Sequence, residues 1–268
     1  MTGAATGSLA PKVVKRLDAD SVALLGPIDV GEVLEQYRQA GVHAACCMLD
    51  PWYNKGVGGT RPDYVDYIAG LLQQAAAVAD HVYLWGFPEI VARFVDRVPA
   101  GLKLTAWLTW FYKNNPSVIR GWRSAQMACL HLSAPGAPLY PEHFLNEAQL
   151  EKKREGKLRY LPGPTSVIEE PLLVGFVGRR EQTGHPAQKP AAVFDKLIRM
   201  ATQAGDLVID PMCGSGTTGA AARQAGRSAI LSDVDDSYIS LVETRLDVVR
   251  IPPNGLVGSR QNGRTMKR

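Results

Sequence analysis

Ten residues near the C-terminal end constrain this chain most: Ile209-Asp210-Pro211-Met212-Cys213-Gly214-Ser215-Gly216-Thr217-Thr218. Residues 207–209 form a short apolar run, the glycines follow at once, and the Ala-rich segment 217–225 reads as a helix closed by Gly226. Strand, glycine turn and helix in that order form the opening unit of a nucleotide-binding α/β sheet. Glycine lets the backbone turn tightly and approach a ligand, while free N–H groups at the helix start favour a polar or anionic group. The unit stands late in a chain of 268 residues. Little more than one further strand–helix pair can follow it, so the rest of the sheet must come from upstream.

The run from Gly214 to Gly219 matches G-x-G-x-x-G, and Asp233 follows at about the distance of a ribose-binding carboxylate. An NAD-dependent dehydrogenase is therefore one reading. Against it, a dinucleotide fold continues through several more strand–helix units, and an Asp-Pro before the turn is no part of that fingerprint. No Gly-Lys-Ser/Thr follows the glycines, so a phosphate cradle of the P-loop kind has no support.

A second constellation lies upstream. The continuous apolar run 44–49 is the pattern of a fully buried strand, and it ends in Asp50-Pro51-Trp52-Tyr53. A carboxylate and two aromatics thus sit at a strand's C-terminal edge, where open α/β sheets bind ligands at the point of strand-order reversal. Pro51 stiffens the turn, and Gly56-Val57-Gly58-Gly59 supplies a segment able to fold over the site.

At these residues the chain resembles the amino-group DNA methyltransferases that use S-adenosylmethionine, in the class whose catalytic motif precedes its cofactor motif. Asp50-Pro51-Trp52-Tyr53 resembles that family's Asp-Pro-Pro-Tyr motif, with Trp52 in place of the second proline. The segment 210–218 resembles the cofactor loop, and His185-Pro186-Ala187-Gln188-Lys189-Pro190 resembles the segment leading into the cofactor half. The likeness spans roughly residues 23–246, and residues 135–178 match nothing in it.

The resemblance implies a division of labour. An exocyclic amine is a poor nucleophile because its lone pair is delocalised into the ring. The Asp50 carboxylate and the Pro51 carbonyl would accept its two hydrogens and draw the nitrogen toward the sulfonium methyl, by positioning and electrostatics alone. The base must leave the duplex and stack, on Tyr53 first, with Trp52 stacking or walling the pocket. On the cofactor side, Cys213, Gly214, Ser215 and Gly216 would hold the methionine portion, with Pro211, Thr217 and Thr218 completing the loop. Asp210 would orient the cofactor's ammonium. Asp233 or Asp235 would take the ribose hydroxyls, although an aspartate just before a helical run is also a common N-cap. Gln188 and Lys189 would line the cofactor pocket, and His185 is equally compatible with a turn role.

Composition suits a large α/β core, with 46% apolar and 21% charged residues. No apolar run reaches membrane-spanning length and the N-terminus has no signal-peptide pattern, so a cytoplasmic location is expected. Cys46, Cys47, Cys129 and Cys213 show no C-x-x-C spacing and read as small buried hydrophobes, and no metal is expected. The net charge of +4 is mild, and its distribution says more. Lys152, Lys153 and Arg154 form one basic cluster, Arg120 and Arg123 another, and the tail after Asp247 is basic with no acid. Each suits a phosphate backbone. The first is equally compatible with a solvated helix face, since Glu147, Glu151 and Glu155 interleave with it.

The periodicities predict helices over 31–40, 62–79, 88–98, 190–202 and 236–248, and strands over 81–85, 102–107, 125–132, 207–210 and 228–232. From 133 to 184 the alternation gives way to proline, glycine and charge, the composition of an inserted recognition segment. The expected organisation is a catalytic half (1–132), that insert (133–184), a cofactor half (185–250) and a basic tail (251–268), built on a doubly wound, mainly parallel Rossmann-like sheet. The expected activity is methylation of adenine N6 in DNA. Adenine is preferred because Asp stands at position 50, where the family's cytosine-N4 enzymes more often carry serine. N4-cytosine methylation is the alternative within the family, and a non-catalytic DNA-binding protein is the alternative outside it. Duplex DNA with a flipped base is the expected partner, and the resemblance is compatible with a homodimer and with a cognate restriction nuclease.

Overall fold

A computed structural model of the chain describes residues 17–18, 20–55, 59–115 and 121–252. Its centre is a nine-stranded sheet. In chain order the strands are β1 (Val22–Leu25), β2 (Ala44–Leu49), β3 (Ala79–Gly86), β4 (Lys103–Phe111), β5 (Gln126–Ser133), β6 (Val167–Glu169), β7 (Leu207–Asp210), β8 (Ser228–Ser232) and β9 (Arg250–Ile251). They stand side by side as β6-β4-β5-β3-β2-β7-β8-β1-β9, and only β5 runs antiparallel to its neighbours.

The helices are α1 (Val30–Gln39), α2 (Tyr64–Ala76), α3 (Pro88–Val91), α4 (Glu147–Arg154), α5 (Ala191–Ala201), α6 (Thr217–Gln224) and α7 (Asp236–Leu246). Alternate strand residues feed two cores. Val82 and Leu84 pack with α1, α2 and α3 on one face, whereas Tyr83 and Trp85 pack with α5, α6 and α7 on the other. Such two-faced burial is why β2, β3, β7 and β8 read as unbroken apolar runs.

The order of the inner strands makes the site. β2 and β7 are parallel neighbours, with Cys46 opposite Val208 and Cys47 opposite Ile209. From β2 the chain moves outward to β3, and from β7 it moves the other way to β8. Strand order therefore reverses between them, and the Asp50 and Asp210 turns flank the crevice left at that point.

Several expected elements differ in extent. The 62–79 helix stops at Ala76, because residues from Ala79 onward pair as β3. The 88–98 helix is four α-helical residues continued by a 3-10 turn, Ala92–Arg97. The 133–184 segment holds α4 and also β6, which extends the sheet beside β4. β1 and β9 complete the far edge.

Candidate active site

Asp50 leaves the end of β2 with its side chain about one-fifth exposed. Beneath it lies Lys189, whose side chain is 1% exposed and whose Nζ forms a close ion pair with Asp50 Oδ2. The same Nζ donates to the Tyr53 hydroxyl at 2.9 Å, and that hydroxyl donates to Asp50 Oδ1 at 3.3 Å. The three groups close a cycle. Burial alone would pull the Lys189 ammonium down, but Asp50 and then Tyr53 outweigh it and hold the group charged. Burial and the Asp50 charge push the Tyr53 phenol up to about 12. Tyr53 meets Phe87 edge-on with centroids 4.8 Å apart.

Trp52 does not enter this cycle. Its ring packs against Tyr64 (5.2 Å) and Tyr67 (5.9 Å) of α2, and the Tyr64 hydroxyl donates to its carbonyl at 2.6 Å. It therefore walls the crevice from the α1–α2 core. Pro51 is buried beside it, and Gly56, Val57 and Gly58 lie outside the described residues.

Across the crevice the Asp210 side chain turns inward and is 3% exposed. The N–H of Met212 donates to Oδ1 at 3.1 Å, and the Thr218 hydroxyl donates to Oδ2. Burial raises this carboxyl to about 7 against those two bonds. Pro211 and Cys213 continue the turn, and burial keeps the Cys213 thiol protonated by raising it far above its ordinary value. Gly214 and Gly216 both have positive φ, +48° and +75°. A Cβ on Gly216 would lie 2.9 Å from Val242, and one on Gly214 would lie 2.9 Å from the His185 ring, so backbone alone fits here. Ser215, Thr217 and Thr218 are buried at the start of α6.

Asp233 follows β8 and is 8% exposed, accepting from the Gly214 N–H at 2.8 Å and the Asp235 N–H at 3.0 Å. Burial raises it, partly offset by those bonds. Asp235 is exposed and caps α7, accepting from the Ser237 N–H (2.8 Å) and hydroxyl (2.6 Å). Gln188 is turned onto its own loop, bonded to Thr183 and to the Glu181 carbonyl. Lys189, expected to line the cofactor pocket, places its side chain under Asp50.

Residues 172–190 form a strap across the C-terminal edge of the sheet. It starts at Leu172, paired in both directions with the Asn114 side chain just beyond β4. At the other end His185 meets Tyr238 of α7 at 4.4 Å, and Glu181 pairs with Arg245 at 3.6 Å. Arg245 also donates to the Ser215 carbonyl (2.8 Å) and Thr217 hydroxyl (3.0 Å), bracing the glycine turn. The sequence reading missed Arg245. Its signal was an arginine three residues after Val242 and beside Leu246, on the face of α7 that buries both.

The basic residues separate into two places. Arg123, with the exposed Trp122, precedes β5 at the same edge as Asp50, and Arg179 and Arg180 stand on the strap. None of these three arginines has an acidic partner among the described residues, and Arg120 lies outside them. Lys152, Lys153 and Arg154 occupy the exposed last turn of α4, with Arg154 paired to Glu151 at 2.5 Å. The chain just before α4 is anchored near the end of α5: the Tyr140 N–H donates to the Met200 carbonyl at 2.9 Å, and His143 bonds the Arg199 carbonyl at 2.7 Å. That anchorage lies at the sheet edge opposite Asp50, because α5 ends just before β7 begins. Arg250, counted with the tail, pairs with Glu243 at 2.6 Å and also with Asp236. Residues 253–268 lie outside the described residues.

A family model for "DNA methylase", covering N6 and N4 methyltransferases, matches residues 63–244, more than half of the sequence. The chain belongs to this DNA methylase family. Membership bears out the expectations of a methyltransferase fold and of S-adenosylmethionine as the cofactor, and leaves the dehydrogenase reading without support. The match begins after the Asp50 turn, whose part in the site rests on the geometry of the Lys189–Asp50–Tyr53 cycle. The DNA adenine methyltransferase YhdJ of Escherichia coli (strain K12) is 43% identical over 68 residues, covering 25% of this chain and 23% of that protein. The chain matches less than half the length of the curated relatives it resembles. Among solved structures, the M1.HpyAVI–SAM complex superposes with a TM-score of 0.65 at 21% identity, over 85% of this chain and all of that one. The cytosine-N4-specific PvuII DNA methyltransferase gives 0.59 at 19%, over 88% and 90%. At these identities the likeness concerns the fold. Among the described residues no helix is long and apolar enough to cross a membrane.

Proposed function

We propose that this chain transfers a methyl group from S-adenosylmethionine to the exocyclic N6 of adenine in DNA. One observation carries the reading: a carboxylate oriented from below opens into the same crevice as a glycine turn that ends in a helix start. The amine's hydrogens meet Asp50 and the Pro51 carbonyl, and Tyr53 offers its ring to the extruded base. The cofactor supplies an electrophilic methyl on a sulfonium. The residues present fit that group, because Asp210 and Asp233 are carboxylates raised by burial and lie beside a turn carrying two glycines, a setting that a cation and hydroxyl donors would relieve. Asp233 takes the ribose hydroxyls in this reading, with Asp235 occupied as a helix cap.

The aspartate at position 50 and the likeness to an adenine methyltransferase favour adenine. The duplex lies along the rim that bears Arg123, Arg179 and Arg180, where the target base reaches Asp50 without crossing the sheet. Residues 133–184 then serve recognition chiefly through their last part, which continues into the strap.

The test combines binding and transfer. S-adenosylmethionine should raise the melting temperature, by about 2.7 kcal/mol of stabilisation at a hundredfold excess over its dissociation constant, and NAD should not. Duplex DNA incubated with methyl-labelled cofactor should then yield N6-methyladenine on digestion. Label in N4-methylcytosine would reject adenine within the same enzyme class, and stabilisation by NAD alone would overturn the class.

A further inference from the structure

We propose that Lys189 is a positioning residue for methyl transfer, fixing Asp50 and Tyr53 in one geometry relative to the cofactor turn. The inference rests on the methyltransferase reading of the same site. An ammonium has three donors. One meets Asp50 Oδ2, one meets the Tyr53 hydroxyl, and Nζ stands 5.3 Å from the centroid of the Trp85 ring and 5.5 Å from that of Tyr53. The Trp85 ring and two oxygens thus surround the charge.

The direction of approach separates support from obstruction. Lys189 is 1% exposed and Asp50 19%, so the cation comes from the buried side and the remaining carboxylate lone pairs face the crevice. The backbone of the same residue is tied elsewhere, since its carbonyl accepts from the Thr217 hydroxyl at 3.2 Å. Thr217 is the first residue of α6, directly after the glycine turn, and its hydroxyl is also held by Arg245 and Ser215. One residue therefore touches the reacting carboxylate with its side chain and the cofactor turn with its main chain. Pro190 follows, and its ring restricts the backbone of the residue before it to extended conformations, limiting rotation between the two attachments.

Charge alone does not account for a lysine here. The amine becomes more positive as it is methylated, and a cation behind Asp50 weakens the field the carboxylate offers it. A buried ion pair is also no reliable source of stability, because desolvation offsets its attraction. The cycle supplies orientation instead: with Asp50 bonded at both oxygens and Tyr53 held by its hydroxyl, the acceptor and the stacking ring arrive prearranged.

Lys189→Met and Lys189→Ala in the full chain test this, with wild type in parallel. Cofactor affinity by calorimetry should stay within about threefold, while single-turnover transfer at saturating DNA and cofactor should fall by about a hundredfold, the scale of a misplacement near one ångström. Methylammonium or ethylammonium should restore part of the rate to Lys189→Ala and none to Lys189→Met, whose side chain fills the space. Lys189→Arg, which keeps the charge but displaces it, should bind cofactor and transfer at an intermediate rate. Three results would overturn the proposal: full transfer by Lys189→Met, a loss of cofactor affinity as large as the loss of rate, or no amine rescue of an alanine variant that still binds cofactor. A wild-type protein that binds cofactor but modifies no DNA would instead remove the methyltransferase reading, and this role with it.

Discussion

Asp50 and Asp210 end neighbouring parallel strands, and each stands immediately before a proline, yet their carboxylates have opposite surroundings. Asp50 keeps one-fifth of its side chain open to the crevice and is supported from behind by Lys189 and Tyr53. Asp210 is 3% exposed and is closed into its own turn by the Met212 N–H and the Thr218 hydroxyl. The residues after each proline make the difference. Beyond Pro51 come two aromatics, one drawn into the α2 core and one bonded back to its aspartate, so the turn stays splayed. Beyond Pro211 come glycines that fold the chain straight into α6, and the helix start covers the carboxylate. The same dipeptide thus presents an acceptor to the crevice in one loop and a buried, proton-sensitive group in the other.

The largest effect that could break this contrast is on the rate of Asp50→Asn. Asparagine keeps the shape and one acceptor but removes the charge that favours the developing positive amine. Loss of about 2.7–4 kcal/mol of transition-state stabilisation is expected, with cofactor affinity nearly unchanged. Single-turnover methyl transfer measures it. Asp210→Asn should show the reverse pattern, with altered cofactor binding and a smaller change in the transfer step once cofactor is saturating. Equal effects of the two substitutions on the chemical step would erase the distinction between the turns.

A smaller effect concerns pH. Burial raises Asp210 to about 7, so below that pH the free protein carries it neutral. Between its ordinary range near 4 and about 7 the folded state holds a proton that the unfolded chain releases. Its contribution to stability therefore declines as pH rises through that window. If the cofactor's ammonium meets this carboxylate, binding requires ionisation. Affinity should then fall as pH drops below 7, by at most about 1.4 kcal/mol per unit, with proton release on binding near pH 6. Calorimetry in buffers of different ionisation enthalpy reads both. Asp210→Asn should flatten the profile, and a flat wild-type profile would mean that Asp210 serves the turn alone.

The sequence made the two turns legible because each is local: an apolar strand, an aspartate and a proline, then aromatics or glycines within a few residues. The buried cysteines and the run at 228–232 were legible for the same reason, and both appear as expected. The features that escaped were set by partners distant in sequence. Lys189 lies 139 residues from Asp50, and nothing near it in the chain distinguishes a cofactor-pocket lysine from one whose side chain pairs with Asp50. β6 has three residues with one buried, and β9 has two, too few for any period to register; each is a strand only because an edge of the sheet pairs with it. The 88–98 segment carries a helical pattern, but only its first four residues form an α-helix before it tightens into a 3-10 turn.

The smallest expected effect sharpens the contrast at the level of whole edges rather than single carboxylates. If the Asp50 edge faces DNA, replacing Arg123, Arg179 and Arg180 with alanine should weaken duplex binding and flatten the salt dependence by roughly 0.9 per lost phosphate contact. Alanine at Lys152, Lys153 and Arg154 should change that slope little, because the chain leading into α4 is anchored at the opposite edge and Arg154 already pairs with Glu151. Titrations at several salt concentrations with cofactor present would compare the two triple variants directly. A flattened slope for the α4 variant and an unaltered one for the rim variant would place the duplex along α4. The route from Asp50 to the base would then have to pass around the β6 edge of the sheet. No shorter path opens between β4 and β6, because Trp110 Nε1 donates to the Glu170 carbonyl and the Glu170 N–H donates to the Phe111 carbonyl.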